Sequence, residues 1–332
     1  MKISRALRRA AGMAVAAVLF PAVPVFAQSY PSKPIRIVLA VPPGGSVDAL
    51  GRVVGRYLES AVGQPVIIDN RPGGSAKIAT DYVAKSAPDG YTLYLMGSSQ
   101  AMVEAGAIAF DRPRPFDTLR DLTAVATLAT NTYALIVHPS LPVKTAAEFV
   151  ALAKAKPGYI SYGSSGVGTS AHVAAALLEQ MTKTRMLHVP FKGLGEAVQQ
   201  LLPGEIQALF SALPVMEPHI RAGKLRLIGP VSADRSFQFP EVPTLAEALP
   251  LPGYALETWL GMLAPANTPA AIVNRLNGEF NKMLRDDAFV KKSLHPLGLG
   301  AWPRTPDQMT DLLRNELQKY TRLFKELGIK LE

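Results

Sequence analysis

The chain has no cysteine in its 332 residues. That excludes a disulfide scaffold, a thiolate metal site, a thiol nucleophile and the acylated cysteine of an ordinary bacterial lipoprotein. Histidine is sparse too: His138, His172, His188, His219 and His295. None stands three or four residues from another, and no H-E-x-x-H occurs, so no metal site is expected. No stripe of Lys and Arg interleaved with aromatics is present, which argues against a nucleic-acid partner. Beyond the N-terminal region no apolar run is long enough to cross a bilayer.

What the N-terminus does have is the layout of an export leader. Lys2, Arg5, Arg8 and Arg9 form a basic start, Ala10 to Phe20 an apolar core too short to span, and Val25-Phe26-Ala27 a small-x-small cleavage site. Residues 1–27 are expected to be removed, leaving an exported, periplasmic protein. The leader takes four positive charges from the formal net charge of +9. The mild positive excess that remains favours an anionic small molecule.

The rest of the chain is organised around Ser161-Tyr162-Gly163-Ser164-Ser165-Gly166-Val167-Gly168-Thr169-Ser170-Ala171-His172. A strand is expected before it, over 158–162. Val173, Leu177 and Met181 follow at helical spacing, so a helix is expected to start near Thr169 or Ser170. A strand, a glycine-hydroxyl loop and a helix start make an anion site, because the first helical N–H groups have no partner within the helix. The loop lacks the P-loop lysine, Thr169 standing in its place, which excludes the usual nucleotide chemistry. It also lacks the second glycine of a G-x-S-x-G elbow, where Val167 stands. A cradle without a catalytic side chain points to binding without turnover. No cofactor is expected.

Strands and helices alternate along the chain, which implies an α/β architecture with mainly parallel sheets. The apolar stretch 33–41 reads as a buried strand broken by Pro42-Pro43-Gly44-Gly45-Ser46. A helix then presents Val47, Leu50, Val54 and Leu58, with Ser46 as the expected N-cap and Asp48 favoured in the first turn by the helix dipole. A strand over 91–96 ends at a third polar loop, Gly97-Ser98-Ser99-Gln100. Thr130-Asn131-Thr132 is the candidate crossing between two lobes, and a return is expected just before the strand 256–263. Thr268-Pro269 and Thr305-Pro306-Asp307-Gln308 read as helix starts. The expected division is lobe 1 over 30–130 plus 254–332 and lobe 2 over 131–253. In such sheets ligands gather at the carboxyl ends of strands.

These stretches together resemble a known family. Tyr30-Pro31-Ser32-Lys33-Pro34-Ile35-Arg36, Pro42-Pro43-Gly44-Gly45 with Asp48, Gly63-Gln64-Pro65-Val66 and Asn70-Arg71-Pro72-Gly73 carry the likeness. So do Pro88-Asp89-Gly90-Tyr91-Thr92-Leu93, Tyr162-Gly163-Ser164-Ser165-Gly166-x-Gly168-Thr169, Val189-Pro190-Phe191-Lys192-Gly193 and Leu263-Ala264-Pro265-Ala266-x-Thr268-Pro269. In this order they resemble the Bug family, the TctC-like extracytoplasmic solute receptors of tripartite tricarboxylate transport systems. The resemblance implies a type II periplasmic-binding-protein fold, two α/β lobes joined by two crossing strands with the ligand between them. It implies a small carboxylate ligand (a di- or tricarboxylate, amino acid or aromatic acid), membrane permease subunits as partners, and no catalysis.

The candidate ligand-binding residues are Val41, Pro42, Pro43, Gly44, Gly45 and Ser46 in the first loop and Ser98 in the third. The second lobe contributes Ser164, Ser165, Gly166, Gly168, Thr169 and Ser170, with Phe191 and Ser211 at two further strand ends. The chain departs from the family at Ala40-Val41, where Pro-Phe is frequent, and at Ser211-Ala212, where Asp-Asn is. It is expected to act as a monomer. Two other classes fit the sequence: a sensor presenting its closed form to a membrane histidine kinase, and a secreted α/β hydrolase. For the hydrolase, Ser165 with His172 is the only local pair.

Overall fold

The computed structural model describes residues 30–73 and 76–329. The expected leader, 1–27, lies outside them. The chain opens with β1 (Ile35–Leu39), buried at every position but Arg36. Helix α1 (Ser46–Val62) follows, and its Leu50, Val54 and Leu58, one turn apart, all reach the core. Next come β2 (Val66–Asn70), α2 (Lys77–Ala84), β3 (Thr92–Gly97) and α3 (Ser98–Ala109), which starts directly from the end of β3. A short α4 (Thr118–Asp121) leads into β4 (Leu122–Asn131). Thr132 alone separates β4 from β5 (Tyr133–Val137), which lies in a different sheet.

That second sheet is built with α5 (Ala146–Ala155), β6 (Ser161–Ser164), α6 (Ser170–Thr182), β7 (Leu187–Pro190) and α7 (Leu194–Leu201). It continues with β8 (Ala208–Ala212), α8 (Leu213–Arg221), β9 (Arg226–Pro230) and α9 (Leu245–Ala248). The chain returns in β10 (Thr258–Pro265) and ends through α10 (Ala270–Arg285), α11 (Asp287–Phe289), β11 (Leu299–Ala301) and α12 (Pro306–Leu327).

The first sheet has the order β11-β4-β10-β3-β1-β2 and the second β7-β6-β8-β5-β9. β1 is parallel to β2 and β3, and β6 to β7 and β8. The pairings of β4, β5 and β10 are all antiparallel. The expected parallel sheets thus hold where helices connect neighbours, and fail at the strands that carry the chain across.

Alternation along each strand feeds two helical layers. Ile35, Ile37 and Leu39 pack with α1 and α10, while Val38 packs on the other face with Ala79 and Val83 of α2 and with α12. Leu135 and Val137 of β5 pack with α5 and α6; Ala134 and Ile136 face α7 and α8. Helix α12 serves both sheets. Met309 and Leu313 lie in the first sheet's core, whereas Leu317, Tyr320 and Phe324 join Met102, Tyr162, Ala174 and Phe210 in the second's.

Several expectations shift. The strand expected over 158–162 is β6 at Ser161–Ser164, because Gly158 turns with φ +78°. Helix α3 had no helical signal; Ala101, Met102, Ala105, Gly106 and Ala109 are buried around much of its circumference, which erases an amphipathic period. Thr268 does not cap α10: its hydroxyl donates to the Pro265 carbonyl at 2.7 Å, and Pro269 holds the N-cap position. Thr305 and Gln308 do form the expected capping box on α12.

Within this core Glu316 of α12 accepts the Trp259 Nε1–H at 2.7 Å. Burial pushes its carboxyl up to about 7. A carboxyl whose folded-state pKa exceeds the unfolded value costs stability as pH rises from about 4.5 through 7. Glu316→Gln keeps an acceptor for Trp259 and does not titrate. In urea unfolding the variant should gain on wild type by about 2 kcal/mol between pH 5 and pH 8. A pH-independent difference would remove the assignment.

Candidate functional site

The first loop, 40–45, is held from behind by Asp48. This carboxylate is 3 % exposed and accepts the Gly44 N–H (3.0 Å), the Asn70 amide (3.0 Å) and two Arg52 N–H groups (2.9 and 3.1 Å). The Arg52 contact first, with Gly44 and Asn70, holds it at about 2 against the opposing pull of burial. Asn70 also donates to the Val41 carbonyl. Asp48 therefore does more than complement the helix dipole; it fixes the loop. Gly44 has φ +98°, a conformation that needs glycine. The expected N-cap, Ser46, is instead the first helical residue. Gly45 occupies the cap, with no side-chain hydrogen bond.

The second loop is braced by histidines. The Ser164 hydroxyl accepts the Gly166 N–H (3.1 Å) and lies 2.7 Å from His188 Nε2. His172 Nδ1 accepts the Gly168 N–H at 3.0 Å. The two imidazoles stack with centroids 4.0 Å apart, and Tyr162 stacks on His188 at 4.9 Å. Burial, with His188 alongside, lowers His172 to about 4; burial also lowers His188. Thr169 is the N-cap of α6, yet its hydroxyl donates back to the Gly166 carbonyl (2.8 Å) and caps nothing. No hydrogen bond joins Ser165 to His172 among the described residues; the His172 Nδ1 is engaged by the Gly168 N–H instead.

Between the two sheets lies a cleft with two adjoining compartments of about 150 and about 350 Å³. Of the expected residues, Val41, Ser46, Ser98 and Ser170 line the first, and Ser165, Thr169 and Ser170 the second. Pro42, Pro43, Gly44 and Gly45 form an exposed turn beside it. Ser164, Gly166, Gly168 and Phe191 belong to the loop's own frame: Phe191 donates its N–H to the Ser164 carbonyl. Ser211 is fully buried in β8, and the next residue, Ala212, reaches the cleft instead. Ala40, Ser99, Gln100, Asn131, Tyr133, Thr258 and Trp259 also line it. Their signal was position: each sits at the end of a strand or at a crossing.

The lining has a common origin. Ser46, Ser98, Ser170 and Leu194 are the first residues of α1, α3, α6 and α7, and Ala212 is the N-cap of α8. None of these starts is closed by a side chain of its N-cap residue. Away from the cleft, α5, α9 and α12 are each capped by a threonine that accepts the N–H three residues on; α10, opened by Pro269, is an exception. The uncapped ends present free N–H groups and the positive ends of helix dipoles to one space. Among the described residues, no charged side chain lines either compartment. Such a cleft can hold an anion with neutral donors alone.

Protonation of His172 would remove the acceptor of the Gly168 N–H. Its folded pKa lies below the ordinary 6.5, so the contribution of the neutral ring is complete above pH 6.5 and is lost as pH falls toward 4. Hydrogen exchange over 164–170, corrected for intrinsic rate, should lose about fivefold protection across that window. His172→Asn keeps an acceptor and should stay flat. Parallel loss in both proteins would exclude the histidine brace.

Comparison with known proteins places this geometry. The family model described as "Tripartite tricarboxylate transporter family receptor" (TctC) matches residues 50–329. Protein BugT of Bordetella pertussis is 36% identical over 313 residues, 94% of each chain. Among solved structures, R. palustris Rpa4515 with adipate superposes with a TM-score of 0.80 at 30% identity, covering 91% of this chain and 100% of that one. MatC from Rhodopseudomonas palustris with bound malate gives 0.74 at 28% identity, covering 89% and 99%. The two-sheet α/β fold is thus that of periplasmic binding proteins, and the chain belongs to the TctC (Bug) family of solute-binding receptors, not to a family of enzymes.

Proposed function

We propose that this protein captures a small carboxylate between two lobes and delivers it, as an exported monomer, to the membrane permease subunits of a tripartite tricarboxylate transporter. The observation that carries the reading is the convergence of uncapped helix starts on a cleft without charged side chains. The adipate and malate in the two related structures are carboxylates of the same size class.

Sheet membership supports the division into lobe 1, 30–130 plus 254–332, and lobe 2, 131–253. Val41, Ser46 and Ser98 act from lobe 1, and Ser165, Thr169 and Ser170 from lobe 2, with Ser99, Gln100, Asn131 and Tyr133 completing the grip. Gly44 and Gly45 keep the mouth of the first loop open. Gly166 and Gly168, with φ of +125° and +78°, let the second loop turn its N–H groups. Pro42, Pro43, Ser164, Phe191 and Ser211 support from behind or beside. A ligand touching both lobes favours their approach by its differential affinity for the closed form.

Gly45 offers a clean test. Its φ is −86°, and a Cβ there meets nothing within 4 Å, so valine fits the fold and intrudes only on an arriving ligand. A thermal-shift screen of carboxylates on the protein from residue 28 supplies the probe. With it, small-angle scattering should show compaction. Gly45→Val should bind far more weakly, whereas Thr169→Val, losing one neutral hydrogen bond, should cost about 1 kcal/mol. Wild-type affinity in Gly45→Val would sink the two-loop clamp.

A further inference from the structure

The cleft discriminates by what it cannot neutralise. Every described side chain lining its two compartments is uncharged. Asp48, in the first turn of α1, commits its carboxylate to Arg52, Asn70 and the Gly44 N–H. The carboxamide oxygens are each already engaged by a donor of the protein. Gln100 Oε1 holds the Gly97 N–H at 2.7 Å, and Asn131 Oδ1 holds the Thr258 hydroxyl. Each carboxamide also carries an N–H₂ group, which can only donate. Val41, Val47, Leu95, Leu194, Val215 and Leu260 supply an apolar wall.

An ammonium group entering this space sheds water, finds no carboxylate, and faces the positive ends of α1, α3, α6, α7 and α8. A carboxylate meets donors, and a hydrocarbon body meets the wall. We infer that the cleft selects carboxylates that lack an amino group and carry an apolar stretch, and rejects α-amino acids. This rests on the carboxylate-receptor reading.

Matched pairs test it by calorimetry: succinate against aspartate, adipate against aminoadipate, phenylpropanoate against phenylalanine. In any pair that binds, the amino member should be weaker by at least about tenfold. A smaller gap, or a preference for the amino member, overturns the inference and leaves the receptor reading standing. No binding by any member overturns the receptor reading and this inference with it. Ala212 lines the cleft at the end of β8. Ala212→Asp places a carboxylate there and should narrow the gap, while Ala212→Asn should preserve it. An unchanged gap in Ala212→Asp would show that a missing counter-charge is not what excludes the amino group.

Discussion

A helix cannot satisfy its own first N–H groups, and the character of the cleft between the sheets follows from that constraint. Most proteins close such ends with a serine, threonine, asparagine or aspartate, and this chain does so at Thr145, Thr244 and Thr305. At the cleft the cap position is given to Gly45, Gly97, Gly193 and Ala212, or to a threonine whose hydroxyl is occupied elsewhere. The stability forgone is roughly a few tenths of a kcal/mol at the glycine starts and about 1 kcal/mol at Ala212. In return, preorganised donors surround a space that, among the described residues, no lysine or arginine lines.

Open helix starts need rigid loops, and the two lobes obtain them by different chemistry. In the first loop a buried, ionised carboxylate gathers Gly44, Asn70 and Arg52. In the second, His172 accepts the Gly168 N–H, His188 meets the Ser164 hydroxyl, and the two rings stack. Charge is thus kept behind the first loop and out of the second. The ionisable groups shape the cleft without entering it, so the field a ligand meets is made of backbone dipoles.

The outline of both lobes was legible because periodicity and turn residues survive in sequence. Leu50, Val54 and Leu58 announced α1, and Thr305 with Gln308 announced α12. What failed was local and has physical causes. Helix α3 is buried around much of its circumference, so Ala101 to Ala109 carry no polar face to reveal it. Ser164 and Ser170 look alike in sequence, yet Ser164 spends its hydroxyl inside its loop while Ser170 is among the residues that line the cleft. The stack of His172 on His188 joins residues from α6 and β7, and no spacing rule anticipates it. Ser211 and Ala212 differ only by the alternation of a strand, which a one-residue error in register reverses.

Helix α12 has a consequence for how the molecule is made. Tyr320 and Phe324 complete a core whose other members include Met102, Leu135, Tyr162 and Phe210. Those residues are far apart along the chain, and α12 comes last among the described elements. A chain emerging from its N-terminus leaves that core unfinished, with apolar surface uncovered, until its final turns are available. Completion of the second sheet's inner layer therefore depends on long-range contacts.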